Sequence, residues 1–232
     1  MTQPLFHYGF DGFVCSAGGY VGCDGKILVD IPMEPEQVSG LRAALERAGA
    51  ECTLEVRDET YGGIKMIERF ANLFPKTPGK ANSEAERWRK MMEFGMTICP
   101  IEKYHGEPVY KVVFIAPNEE CLTEVKRQYE SQFVFCESRL GDEGGGIVNG
   151  ELINRKFDKG TGIKAICDFL GCSLADTIGF GDSDNDLQMT DVVGISVCMA
   201  NGSDNLKKRC DRICPAVSED GVAKEFAELG LI

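Results

Sequence analysis

Short apolar runs and amphipathic stripes alternate along the chain, and their periods predict its elements. Aromatics and Val fill Leu5 to Val14. The small residues Cys15-Ser16-Ala17-Gly18-Gly19 and then Tyr20-Val21 follow, which predicts strand, turn, strand. Asp24-Gly25 ahead of Ile27-Leu28-Val29 predicts a hairpin. Behind Pro35, Val38, Leu41, Leu45 and Ala48 recur at three- and four-residue steps, giving a helix over 35–48. The pattern then gives a strand over 52–56, helices over 65–74 and 83–94, and a strand over 109–115. A helix over 118–132 carries Leu122, Val125 and Tyr129 on one stripe, and a strand over 133–136 follows. From residue 151 the rhythm is regular: strand 151–154, helix 159–170, strand 177–180, helix 184–190, strand 194–198, helix 203–210, strand 212–214, helix 218–229. Such alternation predicts an α/β architecture, a parallel sheet with helices on its faces. The stretch 33–147 reads as a separate α+β module, and Gly141 to Gly146 as a flexible hairpin or a hinge.

Charge and cysteine usage narrow the possible partners. The 232 residues carry a formal net charge of −12 and a sequence pI near 4.7. Nucleic acid wants a basic face, so it is excluded as a partner. The same field gives no long-range pull on an anionic substrate, so local groups must hold any phosphate. No apolar run approaches the ~20 residues of a membrane span, and no secretory signal opens the chain. A cytoplasmic protein is expected, with no membrane partner. The 11 cysteines form no CxxC pair and the only histidines are His7 and His105, which argues against zinc. The cysteines read as reduced, small hydrophobic residues.

Candidate chemistry gathers around Thr177-Ile178-Gly179-Phe180-Gly181-Asp182-Ser183-Asp184-Asn185-Asp186. A strand running through a Gly into carboxylates places acidic oxygens past the carboxyl end of the strand, where open α/β sheets bind ligands. Oxygen ligands of this kind suit Mg²⁺. An acidic surface turn is the competing account, since Gly, Asp, Ser and Asn all favour turns. Asp182, nearest the strand end, is the better metal ligand of the pair Asp182 and Asp186. The neutral Asn185 has an amide to donate to a phosphate oxygen, and Asp184 reads as a solvated acid. Upstream, Phe157-Asp158-Lys159-Gly160-Thr161-Gly162 puts Lys159 at the start of a helix. Cation, carboxylates and helix N-terminus together make a phosphate site.

Lys159-Gly160 followed by Gly181-Asp182-Ser183-Asp184-Asn185-Asp186 resembles the third and fourth motifs of the haloacid dehalogenase superfamily, and among its members the Cof-type sugar-phosphate phosphatases. The resemblance continues into Ala200-Asn201 and Glu219-Asp220-Gly221-Val222-Ala223. It implies a Rossmann-like core of 1–32 and 148–232 interrupted by an α+β cap of 33–147, which gates entry and chooses substrate. It further implies Lys159 as catalytic phosphate cation, Asp182 as Mg²⁺ ligand with Asp186 in support, and phosphate or substrate contacts at Asn185 and Asn201. The implied substrate is a small phosphorylated metabolite, and the implied state a monomer or homodimer.

Two departures qualify the resemblance. The family's nucleophile lies in an Asp-x-Asp-Gly-Thr motif on the first strand, and no such motif occurs here. Ala17 stands where a Ser-Asn-Gly-Ala loop would carry Asn. The sequence is therefore expected to begin past the first two motifs, leaving the core sheet incomplete at its N-terminus. The chain as given is then inactive alone, its nucleophile supplied by a preceding segment. The alternative is a degenerate relative that binds phosphate or a protein without turnover.

Overall fold

The computed structural model describes residues 9–63, 98–140 and 147–232. The helices expected over 65–74 and 83–94, and the glycine run 141–146, lie outside the described residues. The chain divides into two compact units, residues 32–155 and residues 3–31 with 156–232.

The first unit is built on a six-stranded sheet of order β6-β5-β4-β7-β9-β8. Its strands are β4 (Glu51–Val56), β5 (Thr60–Gly62), β6 (Ile98–Pro100), β7 (Val109–Ala116), β8 (Phe133–Leu140) and β9 (Ile147–Asn154). All neighbours pair antiparallel except β5 and β6. Helix α1 (Pro35–Arg47) starts with Pro in its first turn and buries Val38, Leu41, Ala44 and Leu45, the stripe its sequence predicts. Helix α2 (Thr123–Tyr129) is shorter than expected, because Glu120–Leu122 forms a separate tight turn. Leu41, Leu45, Val125 and Tyr129 join Leu54, Val112, Phe114, Phe133 and Leu152 in one core.

The expected core was 1–32 with 148–232, whereas the compact units part after Arg155. Strand β9 belongs to this antiparallel sheet. Packing explains its allegiance. Gly150 lies opposite Phe114 on β7, and a Cβ at Gly150 would stand 2.3 Å from the Phe114 ring. The missing side chain is the space the buried ring fills.

The second unit opens with the expected strand, turn and strand. Strands β1 (Gly12–Cys15), β2 (Tyr20–Cys23) and β3 (Lys26–Asp30) form an antiparallel meander. Asp24 and Gly25 turn the hairpin with φ of 50° and 72°, the left-handed pair that such two-residue turns require. Helix α3 (Lys159–Leu170) packs on this meander through Gly162, where a Cβ would meet Val14 at 2.6 Å. Strands β10 (Ile178–Gly181), β11 (Ile195–Met199) and β12 (Arg212–Cys214) make the predicted parallel sheet. Helices α4 (Leu187–Thr190), α5 (Asp204–Arg209) and α6 (Gly221–Glu228) alternate with its strands. Val197, Met199 and Cys214 form its small core, and Phe180 meets Phe226 edge-on at 5.4 Å. No described helix is long and apolar enough to cross a membrane.

Candidate functional site

The site assembles at the carboxyl ends of β10 and β11. Asp158 caps α3: its carboxylate accepts from the Thr161 N–H at 2.7 Å, and Thr161 Oγ1 accepts from the Asp158 N–H at 2.9 Å. That reciprocal cap makes Lys159 the first residue of the helix. Gly160 beside it has no room for a side chain, since a Cβ would lie 2.6 Å from the Gln188 carbonyl oxygen. The close approach of α3 to α4 brings Lys159 to the turn that follows β10.

That turn wraps around one carboxylate. Asp186 is buried, and its Oδ2 accepts from the backbone N–H groups of Asp182 at 3.0 Å and Ser183 at 3.3 Å. Gly181 permits the wrap, because a Cβ there would sit 2.9 Å from that same oxygen. Asp186 Oδ1 accepts a short charged hydrogen bond from Lys159 Nζ. Lys159 Nζ also donates to Asn185 Oδ1 at 3.0 Å, and Ser183 Oγ donates to the same oxygen at 2.8 Å. The Lys159 side chain keeps 30% of its surface exposed while Asp186 keeps 10%. The ammonium is thus held by two partners on a side chain that stays partly exposed. With its oxygen used inward, Asn185 has its amide N–H groups to offer outward.

Asp182 is exposed, and its carboxylate takes no hydrogen bond or ion pair from the described residues. Its backbone oxygen accepts from the Ser203 N–H at 3.0 Å, tying the turn after β10 to the start of α5. Asp184, read from sequence as a solvated acid, is exposed and has a structural role besides. Its carboxylate accepts from Ser203 Oγ in a short bond and from Asn205 Nδ2 at 2.9 Å. Asn201 follows β11, and its Oδ1 accepts from the Val217 N–H at 3.1 Å, which joins the loops after β11 and β12. It lies on the same rim as the cluster but is not bonded into it. Ser183, with its hydroxyl on Asn185, is the member that sequence reasoning missed. Its place between two acids in a turn gave no separate signal.

Among the described residues no group of three His, Cys, Asp or Glu side chains converges to hold a metal. A hard octahedral ion does not require one, since Mg²⁺ commonly takes one or two carboxylates, several waters and a substrate phosphate. Asp182 fits that use. Asp186 has both oxygens engaged by protein donors.

A parallel sheet with a lysine–carboxylate cluster at its C-terminal rim, in a chain interrupted by an antiparallel α+β unit, defines a dehalogenase-like α/β fold. The family profile of haloacid dehalogenase-like hydrolases matches residues 1–226. The chain belongs to that family. YkrA of Bacillus subtilis is 43% identical over 129 residues, 56% of this chain and 46% of YkrA. The 5-amino-6-(5-phospho-D-ribitylamino)uracil phosphatase YitU of the same organism is 38% identical over 78 residues, 34% of this chain and 29% of YitU. The chain thus matches less than half the length of these curated relatives. In fold it resembles a haloacid dehalogenase-like hydrolase from B. subtilis, with TM-score 0.73 and 20% identity over 94% of this chain and 80% of that one. It likewise resembles the subclass IIB sugar phosphatase BT4131, with TM-score 0.72 and 18% identity over 99% of this chain and 80% of that one.

Proposed function

We propose that this chain supplies the phosphate-holding part of a Mg²⁺-dependent phosphatase of small phosphorylated metabolites, sugar phosphates foremost. The observation that carries the reading is the aim of Lys159. Its ammonium is held by Asp186 and Asn185 at the rim of the parallel sheet, on a side chain that is partly exposed. Lys159 draws in and neutralises phosphoryl oxygens, usually the largest contribution to such catalysis. The Asn185 amide donates to another oxygen. Asp182 holds the metal, which when bound spreads the charge of the transferring group. Asp186 is a positioning residue that fixes Lys159. Asn201, with its amide nitrogen left over, is a candidate substrate contact. The protein works in the cytoplasm, as a monomer or homodimer, without nucleic acid or membrane partners. The substrate class is taken from the relatives: YitU is a 5-amino-6-(5-phospho-D-ribitylamino)uracil phosphatase and BT4131 a sugar phosphatase.

The family's aspartyl-phosphate route needs an attacking carboxylate, and the Asp-x-Asp-Gly-Thr motif that carries it is not within these 232 residues. This favours a second reading, a relative that binds phosphate or a protein without turnover. One experiment separates the two. Hydrolysis of an aryl phosphate, then of a sugar-phosphate panel, is measured with Mg²⁺ and with chelator. The chain is assayed as it stands and as extended by any in-frame upstream codons. Chelator-sensitive turnover that falls about a hundredfold or more in Lys159→Ala and in Asp182→Ala supports the phosphatase. Near-normal turnover in either variant refutes the site assignment. No turnover in either form, together with Lys159-dependent binding of orthophosphate, establishes the second reading.

A further inference from the structure

All eleven cysteines are free thiols, yet their surroundings differ: four are buried, six half-buried, and Cys172 is exposed. Cys172 stands just past the C-terminal end of α3. Gly171 before it adopts φ 69°, the left-handed turn that ends many helices. The turn folds the chain back so that the Cys172 N–H donates to the Cys167 carbonyl at 3.1 Å. In this helix-ending geometry the residue after the glycine packs on the side chain one turn back, and the contact is usually between two apolar groups. Here the two positions that this geometry brings together are both cysteines. Cys167 is buried, with 4% of its surface exposed. Burial, and next the neighbouring thiol, push its pKa up, so it rests as a protonated thiol.

We propose that Cys172 and Cys167 form a redox-active dithiol that low-molecular-weight disulfides convert to an intramolecular bond. The helix-ending hydrogen bond draws the two residues together, and a disulfide bridges Cα atoms roughly 4.4–6.8 Å apart. The exposed Cys172 reacts first. Its thiolate attacks one sulfur of the reagent, a mixed disulfide forms, and one reagent thiolate leaves and takes the proton of Cys167. The Cys167 sulfur then attacks the Cys172 sulfur and expels the second reagent thiolate, which takes up the proton Cys172 gave to solvent. One small disulfide becomes two thiols while two protein thiols become one disulfide, and no further oxidant is needed. The pairing is intramolecular and held in place by the helix end, so the second step outruns reaction with any other thiol.

The full chain is treated with oxidised glutathione, quenched with an alkylating agent, and cleaved before aspartates without reduction. Cleavage before Asp158, Asp168 and Asp176 separates Cys167 from Cys172. The expected result is a joined pair of fragments 158–167 and 168–175, formed about tenfold faster than any other disulfide. Cys172→Ser yields no joined pair, and Cys167→Ser stops at a glutathione adduct on Cys172. Gly171→Ala, which strains the left-handed turn, slows the joining. The proposal is overturned if half-buried thiols such as Cys15 or Cys121 react first while the two fragments stay separate. It is equally overturned if the Cys172 adduct is lost as fast in Cys167→Ser as in the unaltered chain.

Discussion

At the scale of single residues, side chains in the candidate site are either committed inward or left open, and the proposed roles follow that difference. Asp186 and the oxygen of Asn185 point at Lys159, while the Asp182 carboxylate is open. Ala17 shows the opposite of commitment. It holds φ 57° and ψ 25°, a left-handed conformation that disfavours a residue with a Cβ. Asn tolerates that region better, and Asn is what the resembled loop carries at this place. Ala17→Asn is expected to raise unfolding stability by about 0.5–1 kcal/mol, read as a higher denaturant midpoint at unchanged slope. A lower midpoint would show that the turn is held by contacts Asn disturbs.

Among the elements, local pattern was a good guide wherever local chemistry decides. The stripe of Val38, Leu41 and Leu45, the Asp24-Gly25 hairpin and the start of α3 at Lys159 were all legible. So was the parallel alternation from β10 onward. The allegiance of β9 was not legible. A strand just ahead of a helix fits either an α/β crossover or the last strand of a meander. What decides is pairing with β7 and β8, distant in sequence for β7, and a ring-sized gap over Gly150 that no periodicity reveals. That Lys159 would meet the turn carrying Asn185 and Asp186 was legible, because motif and spacing bring them together. The service of Asp184 to Ser203 was not, since it spans two loops. The β9 assignment predicts that Gly150→Ala forces Phe114 from its place in the core. The expected loss is about 1–3 kcal/mol, measured by chemical unfolding. A neutral substitution would mean that the ring has a second place to go.

At the scale of the whole molecule, a charge of −12 surrounds a site proposed to take an anion. On the proposed function, one lysine and a divalent ion would have to attract the substrate against that field. Added monovalent salt screens the repulsion over distances beyond about 8–10 Å and screens the close contacts less. For a turnover-competent form, kcat/KM toward a doubly charged sugar phosphate is therefore expected to rise severalfold between low and physiological ionic strength. kcat should change little. A fall in kcat/KM over that range would mean that the local field at the rim is already positive and steers substrate in.

The hydrogen bonds between the rim loops have a consequence for how the molecule breathes. Asp186 gathers the N–H groups of Asp182 and Ser183, Asp182 receives the N–H of Ser203, Asp184 grips the Ser203 hydroxyl, and Asn201 receives the N–H of Val217. Links run from the loop after β10 to that after β11, and from there to that after β12. Surface loops ordinarily exchange their amide hydrogens one by one, within seconds of meeting heavy water. Here the amides of Asp182, Ser183, Ser203 and Val217 are expected to be protected together and to open as one unit, with a shared opening free energy. Asp184→Ala should cut the series in the middle, so that Ser203 exchanges faster while Ser183 stays slow. Independent exchange at all four positions in the unaltered chain would show that the rim is a row of separate loops after all.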